Sequence, residues 1–122
     1  MIDGNEMRRR LQDALDRAGN THTIEDVVAG IREGQMQVFF SEQAFVVTEI
    51  ACGPRKKWLN VFLAAGELHD VMALQPQLDA FGKEHGCAFM AMTGRRGWAK
   101  VLPKHGWFET GVSYARPLQE FH

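Results

Sequence analysis

Acid–base and metal chemistry need carboxylates, imidazoles or thiolates close together, and the densest such group here is Glu67, His69 and Asp70, within four residues. Two carboxylates and one imidazole can ligate zinc or relay a proton. No second ligand pair stands at metal spacing, however, and acidic residues favour the first turn of a helix in any case. No metal is expected. Anion binding has a better candidate in Gly94, Arg95 and Arg96, where an apolar run ends and a helical pattern begins. Free NH groups and two guanidiniums at such a place could grip phosphate or carboxylate. Lys100 and Lys104 add positive charge, and residues 94–106 contain no acid. The competing reading is a solvated helix start anchored by Trp98, with arginines that oppose the helix dipole and need compensation. A second basic run, Arg55, Lys56 and Lys57, lies between Pro54 and Trp58 and could meet nucleic acid or an acidic protein, although such runs are usually solvated surface. Arg8, Arg9 and Arg10 have Glu6, Asp13 and Asp16 within ion-pair reach. His85 and His105 precede Gly86 and Gly106 at helix ends, where an imidazolium suits the dipole. Cys87 opens an apolar run and reads as a core thiol. Cys52 adjoins the basic loop but has no nearby histidine, so neither is expected to be a nucleophile.

The elements that must position these groups follow from periodicity. Met7, Leu11, Ala14, Leu15 and Ala18 mark a helical face that stops at Gly19-Asn20. Thr23 and Asp26 form a capping pattern for a second helix with Ile24, Val27, Val28 and Ile31 on one stripe, ended by Gly34. MQVFF, from Met36, and AFVVTEIA, from Ala44, read as two strands joined by a polar turn. After the CGPRKK loop, WLNVFLAA from Trp58 to Ala65 reads as a third. Residues 67–86 are helical in pattern, with Val71, Leu74, Leu78 and Phe81 on one side and Pro76 forcing a kink or a new start. CAFMAM, residues 87–92, has no alternation and is predicted to be a strand buried on both faces. A short helix over 93–106 and a closing strand over 107–118, with Phe108, Thr110, Val112 and Tyr114 alternating, complete the order ααβββαβαβ. This is a mixed α/β (α+β) chain, and the third strand, third helix and fourth strand form a βαβ unit with parallel strands. Helices should cover both faces of the mixed sheet.

Composition bounds the rest. A chain of 122 residues, with 45% hydrophobic and 24% charged residues, is read as a single domain over 1–122 able to fold on its own. The net charge of −1 argues against a general polyanion binder. It hides a polarity: residues 1–50 hold five basic and nine acidic side chains, a charge of −4, and residues 51–122 hold nine and six, a charge of +3. Such a two-sided surface suits docking. Two cysteines are too few for a disulfide scaffold and the first residues lack a signal-peptide pattern, so a reducing, cytosolic setting is expected. No apolar run is long enough to span a membrane.

The element order resembles the GNAT-type N-acyltransferase superfamily over most of the chain. AAGELHD after the third strand, HGC at the fourth, and GRRGW followed by HGWFE are similar to small GNAT-like proteins encoded by tailed bacteriophages. That resemblance implies a bacterial host cytoplasm or a virion as location, and other phage proteins or a second copy as partner. It implies acetyl-CoA as cofactor if the chain is an enzyme, with the cofactor at Ala65, Gly66, Glu67, Leu68 and His69, and with Glu67 or His69 as base.

Two departures weigh against that chemistry. The family holds the acyl-CoA pyrophosphate in a Q/RxxGxG/A loop, whose NH groups face the phosphates. Here only Gly66 remains of the pattern, with Glu67 and Asp70 following; at 4 Å and an effective dielectric near 20, each charge encounter would cost roughly 4 kcal/mol. The family's frequent proton-donating tyrosine falls at Leu102, leaving Tyr114 and His105 as the nearest substitutes. The family's first strand is also not represented before the first helix, which leaves a sheet edge to be covered by a loop, a charge or another protein. The expectation is therefore a GNAT-like protein without acetyl transfer, acting as a structural or protein-binding component. The alternatives are an acetyl-CoA-dependent N-acyltransferase with a rebuilt loop, and a regulator that binds host protein or nucleic acid.

Overall fold

The computed structural model describes residues 4–119; Met1, Ile2 and Asp3, which belong to the segment expected before the first helix, lie outside the described residues. Helix α1 spans Gly4–Arg17 and buries Ala14 and Leu15. Its charged face is tied by Glu6, which accepts from Arg9 at 2.6 Å and from Arg10 at 3.1 Å. Those guanidiniums, Arg9 first, hold the Glu6 carboxyl below its ordinary range. The helix ends where Gly19 and Asn20 take positive φ and the Asn20 amide bonds back to Leu15 O. Helix α2, Ile24–Arg32, starts from a complete capping box: Thr23 Oγ accepts from the Asp26 amide at 3.1 Å and an Asp26 carboxylate oxygen accepts from the Thr23 amide at 2.9 Å.

The sheet runs β1 (Met36–Phe40), β2 (Phe45–Cys52), β3 (Lys57–Ala65) and β4 (Met90–Met92) in that spatial order, with β1, β2 and β3 antiparallel and β4 parallel to β3. One irregularity interrupts it. Val47 pairs with Leu63 but Thr48 pairs with Val61, so Phe62 is an extra residue in β3. The bulge reverses which side-chain set faces which helix layer. Leu63 and Ala65 join Phe45 and Val47 in the core under α1 and α2, with Leu15 and Val27, and the Phe62 ring meets His22 on that side. Before the bulge, Leu59 faces the opposite layer. Helix α4, Gln75–Glu84, packs there, with Leu59 Cδ2 an ordinary 3.8 Å from where a Cβ on Gly82 would stand. Phe81 of α4 packs edge-on against Phe39 of β1 at 5.5 Å. Helices thus cover both faces, as the sequence predicts. Pro76 acts by starting a new helix: α3, Leu68–Met72, stops short, and α4 begins with proline in its first turn.

Two expectations are corrected. The fourth strand comprises only Met90–Met92, half-buried rather than buried on both faces, and Phe89 beside it is 50% exposed. It is an edge strand, with a partner on one side only among the described residues. The closing strand does not form: 107–117 carry no regular structure, and Phe108 and Tyr114 are 81% and 93% exposed. Alternation gives a segment the side chains of a strand, but the ladder also requires a partner edge, and none is engaged.

The chain falls into two compact units, one ending at Met92 and one beginning at Thr93. In the second, the expected short helix is realised as two 3-10 turns, Arg96–Lys100 and Leu102–His105, with Trp98 buried. No helix among the described residues is long and apolar enough to cross a membrane.

Candidate functional site

The site is built at the end of β3. Ala65 is buried, and Gly66 follows with φ +122°, turning the chain out of the sheet. A Cβ on Gly66 would lie 2.8 Å from both Gln43 O and Ala44 Cβ, so this turn is seated on the β1–β2 connection. That connection is itself held from α1, where the Arg10 guanidinium donates to Gln43 O at 3.0 Å. Glu67 caps α3 with its backbone alone: its carbonyl accepts from the Asp70 and Val71 amides, both at 3.0 Å, and its side chain makes no cap bond. The Glu67 carboxylate is exposed, and Leu68 is half-buried. His69 Nε2 lies 3.3 Å from Asp70 Oδ1, with the imidazole 79% and the carboxylate 24% exposed. The acidic group therefore forms one surface cluster on α3 and its cap. No group of three His, Cys, Asp or Glu able to hold a metal occurs among the described residues.

Beside this cluster lies a feature that residue types do not announce. β4 ends opposite Val61, while β3 runs on to Ala65. From the Phe62 bulge onward, β3 pairs with β2 alone among the described residues. Its other edge offers backbone donors and acceptors to an extended group carrying amides. Of residues 62–65 only Ala65 was singled out by sequence, and not for its open edge. Leu59, Val61, Leu63 and Ala65 read as one regular alternation, and all four are buried because both sheet faces are covered, so the pattern conceals the bulge.

The basic candidates lie elsewhere. Arg55, Lys56 and Lys57 occupy the β2–β3 loop, closed by the Gly53 amide donating to Lys56 O at 2.8 Å, and all three are exposed. They stand at the opposite end of β3 from Glu67, roughly 26 Å away at about 3.3 Å per residue. Trp58 next to them stacks on Phe89 at 5.5 Å with the rings 6° from parallel. Within the second unit, Arg95 lays its guanidinium over the Trp98 ring at 5.2 Å, a cation–π contact that offsets its unfavourable place at the start of the turn. Gly94 lies against Trp98, whose ring a Cβ at that position would meet at 3.3 Å. Arg96 and Lys100 are exposed. A 3-10 turn of five residues has a weaker summed dipole than the predicted helix, which reduces the backbone's share of any anion attraction there.

Tyr114 is exposed in the irregular C-terminal segment, and His85 ends α4 with its ring 4.2 Å from Phe81. Leu102 is half-buried at the start of the second 3-10 turn. Cys52 is exposed at the end of β2, and Cys87 is half-buried after α4.

Comparison with solved structures supplies the class. An acetyltransferase of Trypanosoma brucei superposes with a TM-score of 0.62 at 12% identity, over 91% of this chain and 92% of its own. TTHA1254 from Thermus thermophilus superposes with a TM-score of 0.60 at 15% identity, over 88% and 91%. A mutant of the same protein gives 0.59. The chain has a GNAT-like mixed α/β fold, the architecture expected from its element order. No family model matches the sequence, and no curated protein does. At this identity the likeness defines the fold and leaves chemistry to the site.

Proposed function

We propose that this chain is a GNAT-like domain that keeps the acyltransferase framework without acetyl transfer and works as a protein-binding or structural component. Its similarity to phage GNAT-like segments, GRRGW and HGWFE, supports a phage origin and a place in a virion or its assembly, within the bacterial host. The observation that carries the reading is the turn after β3. A pyrophosphate needs backbone amides free of negative neighbours, and here Gly66 is seated on Gln43 and Ala44 and is followed by exposed Glu67 and half-buried Asp70. The absence of a tyrosine at Leu102 agrees with it. Calorimetry with acetyl-CoA tests the reading: no heat is expected up to millimolar ligand, and micromolar binding weakened by Glu67→Ala or Gly66→Ala would overturn it.

A second reading, an N-acyltransferase with a rebuilt loop, is favoured by the open β3 edge at residues 62–65 and by the likeness to the T. brucei enzyme. In that case acetyl-CoA would lie along Ala65, Gly66, Glu67, Leu68 and His69, with Glu67 or His69 accepting the amine proton. Turnover of acetyl-CoA by the wild type, abolished by His69→Ala with binding retained, is its signature. Nucleic-acid binding through Arg55–Lys57 or Arg95–Arg96 requires affinity that falls steeply with salt and is lost in Arg55→Ala or Arg95→Ala.

A further inference from the structure

The sheet begins at β1, which pairs on one side only among the described residues, and the groups on its other side can be assigned one by one. Ser41 donates its amide to Ala44 O at 2.9 Å, so these two form a hydrogen-bonded pair at the turn. Alternation along the antiparallel ladder makes Phe39 with Val46, and Gln37 with Thr48, the next bonded pairs. The amides and carbonyls of Met36, Val38 and Phe40 therefore point away from β2, and no hydrogen bond to any of them occurs among the described residues.

This edge lacks the usual protections. Residues 35–41 contain no charged residue and no proline, and β1 pairs with β2 without a bulge. Helix α2 lies against β1, where a Cβ on Gly30 would stand 2.9 Å from Met36 Sδ. Val38 and Phe40 share that face with Met36 and are 38% and 63% exposed, and Val28 of α2 is 43% exposed. Unpaired backbone beside exposed apolar side chains is a template for an added strand. All of these residues belong to the unit that ends at Met92.

Charge selects the occupant. Residues 24–45 hold four acids, Glu25, Asp26, Glu33 and Glu42, and one base, Arg32. Glu25 is committed to Arg8 at 3.1 Å and Asp26 to its capping box. Glu33 and Glu42 bracket β1, both are exposed, and neither has an ion pair among the described residues. A second copy added through its own β1 would centre on Val38 and set residue 34 opposite residue 42, so Glu33 of each copy would approach Glu42 of the other at both ends. Like charges facing each other across a ladder are destabilising, and the single Arg32 leaves each end negative. From this pattern we infer that β1 accepts an extended basic peptide by antiparallel strand addition. Three alternate apolar side chains of the peptide would face Met36, Val38 and Phe40, with Lys or Arg beyond both ends. Main-chain bonds then supply the affinity and the alternate side chains the register. The inference rests on the protein-binding part of the proposed function for its setting, and the two fail separately: acetyl-CoA heats report the turn at Gly66, whereas peptide affinity reports β1.

Fluorescence anisotropy of the labelled peptide KKVTVTVKK on the full chain reads the affinity, with light scattering reading the mass. Saturable binding that weakens with salt is expected, and the acidic peptide EEVTVTVEE should bind about tenfold more weakly or not at all. Val38→Pro removes an outward-pointing donor and no bond of the β1–β2 ladder, so it should leave the far-UV circular dichroism unchanged and weaken binding about tenfold or more. Methylating the amide of the peptide's central valine should do the same, whereas methylating a threonine amide, which points away from β1, should not. That pair leaves the protein untouched and decides the matter even where proline disturbs the strand. Glu33→Gln combined with Glu42→Gln should weaken binding by about two- to thirtyfold. No saturable binding up to millimolar peptide, equal affinity for EEVTVTVEE, equal loss from both N-methylations, or a wild-type dimer that excludes the peptide and dissociates in Val38→Pro would each overturn the inference.

Discussion

Replacing Gly66 by alanine tests whether the turn after β3 is closed, and comparison with Gly19 gives the expected magnitude. Both glycines have positive φ, +122° and +87°. Around Gly19 nothing lies within 4 Å of a Cβ, whereas at Gly66 the new methyl would sit 2.8 Å from Gln43 O and from Ala44 Cβ. Backbone strain alone costs about 1–3 kcal/mol, so Gly19→Ala should lose that much. At Gly66 the obstructing atoms are a carbonyl oxygen and a Cβ, neither of which a rotamer change can move. Overpacking therefore adds about 1–3 kcal/mol, for a total loss of roughly 2–6 kcal/mol. Against a domain stability of about 5–15 kcal/mol this is large. Urea titration followed by tryptophan fluorescence and circular dichroism reads both losses as midpoint shifts at constant slope. If Gly66→Ala loses no more than Gly19→Ala, the turn is not seated on the β1–β2 connection. The physical basis for excluding a pyrophosphate there would then fail, since an unseated loop could open its amides to phosphate.

Other outcomes follow from the same packing. Gly82→Ala should stabilise the protein by about 0.5–1 kcal/mol in the same titration, because the site is helical and a Cβ there meets Cys87 and Leu59 at an ordinary 3.8 Å. Leu59→Ala, by contrast, should cost about 2–5 kcal/mol, since the residue is 1% exposed against that helix. Thr23→Ala removes half of the capping box and should cost about 1 kcal/mol, with hydrogen exchange rising first in the α2 amides. The Asp26 carboxyl is held below its ordinary 3.8, first by the Thr23 amide and then by the Thr23 hydroxyl. Its contribution is therefore complete above about 3.8 and disappears as pH falls through the lower folded-state value; Asp26→Asn should flatten that acid limb of a stability–pH profile.

Legibility in the sequence followed the range of the interactions. The boundary of α1 at Gly19-Asn20, the Thr23–Asp26 box and the new start at Pro76 all depend on groups within four residues of one another, and each was readable. The ion pairs of Arg9 and Arg10 with Glu6 were readable for the same reason. Of the candidate site, the residues from Ala65 to Asp70 could be placed at a strand end, but not the seating of Gly66 on Gln43 and Ala44, which lie more than twenty positions earlier in the chain. Nor could the Arg95–Trp98 contact be separated from an anion-binding role, because residue type alone leaves a guanidinium equally able to meet a ring or a phosphate.

By itself, the sequence determined the helices, the meander and the mixed α/β class, since hydrophobic period, caps and turn residues act locally and agree with one another. Tertiary structure alone decided where Phe62 bulges out of β3, where β4 stops, and that 107–117 take no regular structure. Alternation reports which side chains a strand would present. Whether it becomes a strand, and on which edge, depends on a partner's free donors and acceptors, which no single segment encodes.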